Sequence, residues 1–368
     1  MNNNRAFSSK IAIDLVGENS IGVLSTKNGN INYSGNLNST IKNVKGIVHK
    51  GSGNTINSGV IKVTGNSSIG IYAENGGILE NRNKIEIGQG TKTATSVGLY
   101  GKNQTTIINK GNIKMVKNSI GIYGKHTIVK NLGTIQNSGL NNNAIYVEDS
   151  DIINSGNIKV GNNQAAAIFG DGRVGINNTS GTITVGKQSV GLATKQGNIS
   201  VGSATKFNVG EESTYIYTEK GSAVNNATLN VSKYSVAMYT KEGSMQNKGN
   251  IKVGESSVGN KKISVAMATE KGIIENFGNI TIPNSHGVAM VANKGGTAIN
   301  RNGGTISVGG EAAYGLQATG SSVLINEGRI DVAGKDARGI AATNKSKVTN
   351  TATGIINVNG VNAQGIYV

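Results

Sequence analysis

A chain of 368 residues with 36 Lys and Arg against 20 Asp and Glu carries a formal net charge of +16, with 54 glycines, one proline and neither cysteine nor tryptophan. The missing cysteines exclude a disulfide framework, a thiolate zinc site and thiol catalysis, and 36% hydrophobic residues are too few for a thick aromatic core. The charge suits polyanions, yet the lysines are spread along the chain without an RNA-binding aromatic signature or a helix-turn-helix pattern, so no specific nucleic-acid partner is expected.

In chain order, the opening residues Met1 to Phe7 lack the apolar stretch of a signal peptide, and export is expected to need a segment outside this sequence. No run of 18 apolar residues follows, so no membrane-spanning helix is expected. A string of a small residue, an aliphatic, Gly or Ala, an aliphatic and an aromatic then recurs, as in Ser68-Ile69-Gly70-Ile71-Tyr72, Ser96-Val97-Gly98-Leu99-Tyr100 and Ser119-Ile120-Gly121-Ile122-Tyr123. Taking the Gly position as register, copies fall at 22, 46, 70, 98, 121, 144, 167, 191, 215, 237, 266, 287, 315, 339 and 365. Three longer steps read as short loop insertions, which a solenoid tolerates on its surface.

Two further strings follow in fixed order within the units. One is aliphatic-x-Asn-x-Gly or a close variant, at Ile56-Asn57-Ser58-Gly59, Ile108-Asn109-Lys110-Gly111, Ile153-Asn154-Ser155-Gly156 and Ile325-Asn326-Glu327-Gly328. The other is Asn-Ile-Lys-Val or a relative, at Asn112-Ile113-Lys114-Met115, Asn157-Ile158-Lys159-Val160 and Asn250-Ile251-Lys252-Val253. Each piece has strand length and period-2 alternation, and glycine recurs too often for helices, at about 1 kcal/mol each relative to Ala. A leucine-rich repeat is excluded by the scarcity of Leu. The fold class is therefore all-β: a single-stranded parallel β-helix or solenoid of about fifteen turns of about 24 residues, three short strands per turn, one continuous array over residues 1–368. Its length is expected to be roughly 70 Å, and because the sequence stops inside a strand at Tyr367-Val368 it reads as an excerpt of a longer array able to associate end to end.

Equivalent residues of successive turns lie about 4.8 Å apart in such a stack and form columns. One runs Val23, Ile47, Ile71, Leu99, Ile122, Ile145, Ile168, Leu192, Ile216, Met238, Met267, Val288, Leu316, Ile340, Ile366; a second runs from Leu37 and Ile61 through Phe207 to Ile356. Neither contains a polar residue, as a shared dry interior requires. An asparagine column comprises Asn57, Asn81, Asn109, Asn131, Asn154, Asn177, Asn225, Asn247, Asn276, Asn300, Asn326 and Asn350, with an exception near Ser200, and is expected to form an amide ladder. A charge column, Lys50, Glu74, Lys102, Lys125, Glu148, Asp171, Lys195, Glu219, Lys241, Glu270, reads as edge support of a few tenths of a kcal/mol to about 1 kcal/mol per opposed pair.

Candidate functional residues are few. The position after the core aliphatic should face outward and carries Tyr72, Tyr100, Tyr123, Tyr146 and Phe169 on consecutive turns, then Ala193, Tyr217 and Tyr239. The five form an aromatic stripe of about 20 Å, suited to contacting sugars or proteins, although stacked Tyr also stabilises a solenoid without binding anything. Glu148, Asp149, Asp151 and Asp171, with Arg173 nearby, are the one carboxylate group that could serve acid/base chemistry or Ca²⁺, but loop carboxylates beside Ser and Gly are usually solvated turn residues, which is the reading expected here. His49, His126 and His286 occupy different repeat positions, and the glycines lack the Gly-Lys-Ser/Thr of a phosphate loop. No catalytic, metal or cofactor site is expected.

With the units Ser-x-Gly-Ile-Tyr, Ile-x-Asn-x-Gly and Asn-Ile-Lys-Val laid out, the sequence resembles, over nearly its whole length, the passenger regions of large type V autotransporter adhesins, particularly fusobacterial ones. The resemblance implies a right-handed β-helix outside the bacterial outer membrane that adheres to glycans or proteins of host cells or other bacteria without catalysis. It also implies a carboxyl-terminal translocator barrel as the membrane link. A carbohydrate-active β-helix enzyme and a polyanion-binding surface protein are the alternatives from other functional classes.

Overall fold

The structure, a computed structural model, describes residues 6–91, 93–137, 139–259 and 262–368. Among these there are 43 strands and no helix, and the described strand-to-strand pairings are parallel. The fold is the β-solenoid expected from the repeat, three strands to a coil. Two compact units divide it, one ending at Val185 and the other running from Gly186 to Val368.

In the first unit a representative coil has strands Ile69–Glu74, Ile78–Asn81 and Lys84–Ile87. The next has Ser96–Lys102, Thr106–Asn109 and Asn112–Met115. Stacking them puts Ile71 beside Leu99, Asn81 beside Asn109 and Ile85 beside Ile113. All six are fully buried, and the residues between them in the second and third strands turn outward, as period 2 demands. Corners are made by left-handed residues, chiefly Asn75, Asn103 and Asn118 with positive φ, the conformation Asn tolerates best after Gly. At Gly98 the demand is spatial: a Cβ there would lie 2.5 Å from the Gly121 carbonyl oxygen of the next coil.

The asparagine column is a hydrogen-bonded ladder. Each Nδ2 donates to the next coil's Oδ1, from Asn57 through Asn81, Asn109, Asn131 and Asn154, at 2.6 to 3.0 Å. Most rungs also donate to the backbone carbonyl two residues on, as Asn57 does to Gly59 at 2.9 Å. Tyr33 stands in the ladder position one coil earlier, buried, its hydroxyl reaching the carbonyls of Ile11 (3.0 Å) and Asn36 (3.1 Å). A phenol there has no amide to give, so the buried Asn57 Oδ1 has no partner.

The second unit repeats the plan with Val236–Thr240, Ser244–Asn247 and Asn250–Lys252, then Val265–Thr269, Ile273–Asn276 and Asn279–Ile282. Its ladder runs Asn225, Asn247, Asn276, Asn300, Asn326, Asn350 at 2.8 to 3.0 Å. Ahead of it Val201 stands beside Asn225, and the Asn225 Oδ1 instead accepts the Ala227 N–H at 3.1 Å.

Two sequence assignments are corrected by one or two residues. The rung after Asn154 is Asn178, not Asn177. Strand Ala166–Asn178 runs through the first corner unbroken, which carries the register one residue further than the motif suggests. Met267 pairs with Met290, so Ala289 and Met290 take the places expected for Gly287 and Val288. That shift removes one of the three expected insertions. The other two separate Ile87 from Ser96 and Lys252 from Val265, both at the corner leading into the next coil. In the second column Phe207 is only half-buried, its ring 5.8 Å from that of the buried Tyr215.

Candidate functional site

The first strand of each coil places an aliphatic inward and the next residue outward, and register aligns Tyr72, Tyr100, Tyr123, Tyr146 and Phe169 on five consecutive coils of the first unit. Ring centroids are 5.0 and 4.5 Å apart for the first two pairs, which meet edge to face, and 5.7 and 5.6 Å for the last two, which stack. Both geometries suit the ring quadrupole. The five rings are half-buried.

The charge column borders the stripe, and two of its carboxylates accept from the phenols. Tyr72 Oη donates to Glu74 at 2.7 Å and Tyr123 Oη to Glu148 at 2.8 Å. Lys102 pairs with Glu74 and Lys125 with Glu148, both at 2.8 Å. Lys102 and Lys125 are direct neighbours in the ladder; each turns to a carboxylate on its other side, which relieves their repulsion. Lys102 Nζ also lies 5.6 Å from the Tyr72 ring centre, within cation–π range. Burial, reinforced by the bond to Glu148, raises the Tyr123 phenol well above its ordinary value. Glu148 is held below the usual carboxylate range, first by Lys125, against partial burial and with help from Tyr123. At Glu74 burial pushes upward, but the bonds from Lys102 and Tyr72 outweigh it and the net shift is down. Glu74 and Glu148 belong to the stripe's construction, a role the charge column alone did not reveal. The legible signal is their position, two residues after an aromatic.

The second unit carries the same column as Ala193, Tyr217, Tyr239, Ala268, Val291, Gln317, Ala341 and Tyr367. Only Tyr217 and Tyr239 are adjacent aromatics, 5.6 Å apart, with Tyr239 Oη donating to Glu270 at 2.7 Å.

The acidic group lies at the corner beyond the stripe. Glu148 and Asp171 are neighbours on adjacent coils, as the register implies. Asp149 Oδ1 accepts the Arg173 N–H at 2.9 Å and Asp151 Oδ1 the Gly175 N–H at 3.1 Å. These two side chains thus satisfy backbone donors where the strand crosses the corner unbroken. Asp149 also approaches His126 Nε2 at 3.8 Å, beside a groove of about 410 Å³ that includes Gln104, Ile128 and Arg173. His49 is buried elsewhere, between Thr55 Oγ1 at 2.8 Å and the Lys27 carbonyl at 2.9 Å.

A family profile, that of the BigA third pectate lyase-like domain, matches residues 3–150 and 193–368. The chain belongs to that family. Its parallel coils fit the family's description, and residues 151–192, outside the match, include the strand that runs through the corner. No curated protein and no solved structure matches the chain.

Proposed function

We propose that this member of the BigA third pectate lyase-like domain family is a structural and adhesive segment of a bacterial surface protein, displayed outside the outer membrane in the manner of an autotransporter passenger, and that it binds without catalysis. Its partners are glycans or proteins of host cells or other bacteria, and the stripe Tyr72, Tyr100, Tyr123, Tyr146 and Phe169 is the contact surface. One observation carries this reading. The interior columns and asparagine ladder recur in both units, whereas the five-ring stripe belongs to one, and the coils lacking it keep the same strands, register and buried core. A column the fold does without is available for recognition, and half-buried aromatics held by their neighbours lose little side-chain freedom on contact. The hydrogen bonds that Asp149 and Asp151 accept from backbone N–H groups of the next coil give those carboxylates a structural use and support a non-catalytic reading.

The test is the triple variant Tyr100→Ala, Tyr123→Ala, Tyr146→Ala, compared with the parent for attachment to cells and for its circular dichroism spectrum. Adhesion should fall while the spectrum stays unchanged. Unaltered adhesion in a folded triple variant would consign the stripe to coil packing.

A further inference from the structure

The third strands of the first unit form a face of a different character. Along Lys84–Ile87, Asn112–Met115, Thr134–Asn137 and Asn157–Lys159, the outward residues register as Glu86, Lys114, Gln136 and Lys159. Lys114 and Lys159 are exposed and sit two coils apart, a spacing of about 10 Å. With Met115, Gln136 and Asn137 they line a shallow groove of about 330 Å³. Lys117, also exposed, follows at the adjoining corner.

The charge balance around this face is uneven. Between Glu86 and Glu148 the sequence contains seven lysines and no Asp or Glu. Lys102, Lys110 and Lys125 of that stretch are taken up by Glu74, Glu80 and Glu148, and Glu86 is held by Lys84 at 2.6 Å. Among the described residues Lys114, Lys117 and Lys159 have no carboxylate within ion-pair distance. Glu86, beside Lys114 on the preceding coil, offsets part of its charge, and the three ammonium groups without a close ion pair still leave a positive potential along one edge that a linear anion of similar repeat relieves by releasing its counterions.

We propose that this face binds an anionic polysaccharide, laid along the coil stack so that successive sulfate or carboxylate groups meet Lys114 and Lys159 while Lys117 closes the edge. The neighbours favour a glycan over a nucleic acid. Single-stranded nucleic acids are held by aromatic platforms beside the basic groove, and these four strands carry none. They present Thr134, Gln136 and Asn157 instead, a hydroxyl and amides able to exchange hydrogen bonds with sugar hydroxyls, the Asn157 Oδ1 already accepting the Thr182 N–H at 2.9 Å. The aromatic stripe lies on the first strands, so this site stands or falls independently of it.

The experiment measures binding of a heparin oligosaccharide to the whole chain over a range of salt, for the parent, for K114Q/K117Q/K159Q, and for a charge-matched control, K206Q/K248Q/K271Q, whose lysines are also exposed. The first variant should bind at least tenfold more weakly at low salt, with the slope of log affinity against log salt shallower by about 2, and the control should stay near the parent. Equal loss in both variants would mean net charge alone attracts the polymer and would overturn the site, as would no loss in the first. Equal competition by single-stranded DNA of the same length would overturn the polysaccharide assignment.

Discussion

The two units share their interior and differ on their surface. Leu99 and Met267 hold the same core position, Asn131 and Asn276 the same kind of rung, but the outward neighbour of the core residue is Tyr100 in one unit and Ala268 in the other. Columns that recur in both are what the stack needs: a dry centre and satisfied amides. The aromatic column runs over five consecutive coils only in the first unit, and the second keeps its strands and register without it.

If the shared columns carry the stack, breaking either should cost the same in both units. Leu99→Ala and Met267→Ala remove fully buried side chains and should each destabilise by about 2 to 5 kcal/mol, read as a drop in the urea midpoint. In a repeat array each coil depends on its neighbours, so hydrogen exchange should accelerate first in the coils beside the substitution. A much larger loss in one unit than in the other would break the equivalence.

Next in size are the rungs. Asn131 accepts from Asn109 at 2.8 Å and donates to Asn154 at 2.7 Å; Asn276 accepts at 2.9 Å and donates at 3.0 Å. Replacing either by Leu strands the amide groups above and below in a buried column, at a cost of about 1 to 3 kcal/mol. The ladder's two beginnings sharpen this. The Asn57 Oδ1, facing Tyr33, has no partner, so Asn57→Leu should cost less than Asn131→Leu in the same denaturation measurement.

The difference itself can be moved. Ala268→Tyr with Val291→Tyr would extend the Tyr217–Tyr239 pair to four rings. Each added pair contributes about 0.5 to 1.5 kcal/mol beyond its buried area, so the variant should be slightly more stable. If the stripe is the contact surface, the variant should also adhere more strongly. A gain in stability with no gain in adhesion would leave the stripe as packing.

Much of this was readable from sequence because stacking turns a structural requirement into a repeated letter. The aliphatic residues from Val23 to Ile168 and from Leu192 to Met267, and the rungs from Asn57 to Asn154, fell in their observed register without adjustment. The failures came where two local options were equally good. Asn177 and Asn178 are adjacent, and only the unbroken corner at Asp171 to Val174 decides between them. Gly287 fits the motif, but Ala289 is small enough for the same place, and the apolar strand Val288–Ala292 sets the register. Side-chain reach was less legible than register: that Tyr123 bonds the carboxylate of the following coil while Tyr72 bonds its own depends on rotamers that no column encodes.

That reach gives the smallest effect. Glu74 and Glu148 have folded-state values below their ordinary 4.5, so the stability they supply is present above that pH and is lost as pH falls through the lowered values. Both sit near solvent and the contribution is screened. The urea midpoint of the parent should decline between neutral pH and about pH 3, and the double variant Glu74→Gln, Glu148→Gln should decline less steeply while starting lower. The phenols stay protonated throughout this range, so Tyr123→Phe should lower the neutral midpoint slightly and flatten the acid decline by less than Glu148→Gln does, because Lys125 remains Glu148's main partner. Identical acid declines in the parent and the double carboxylate variant would mean that the carboxylates bordering the stripe do not help to hold it.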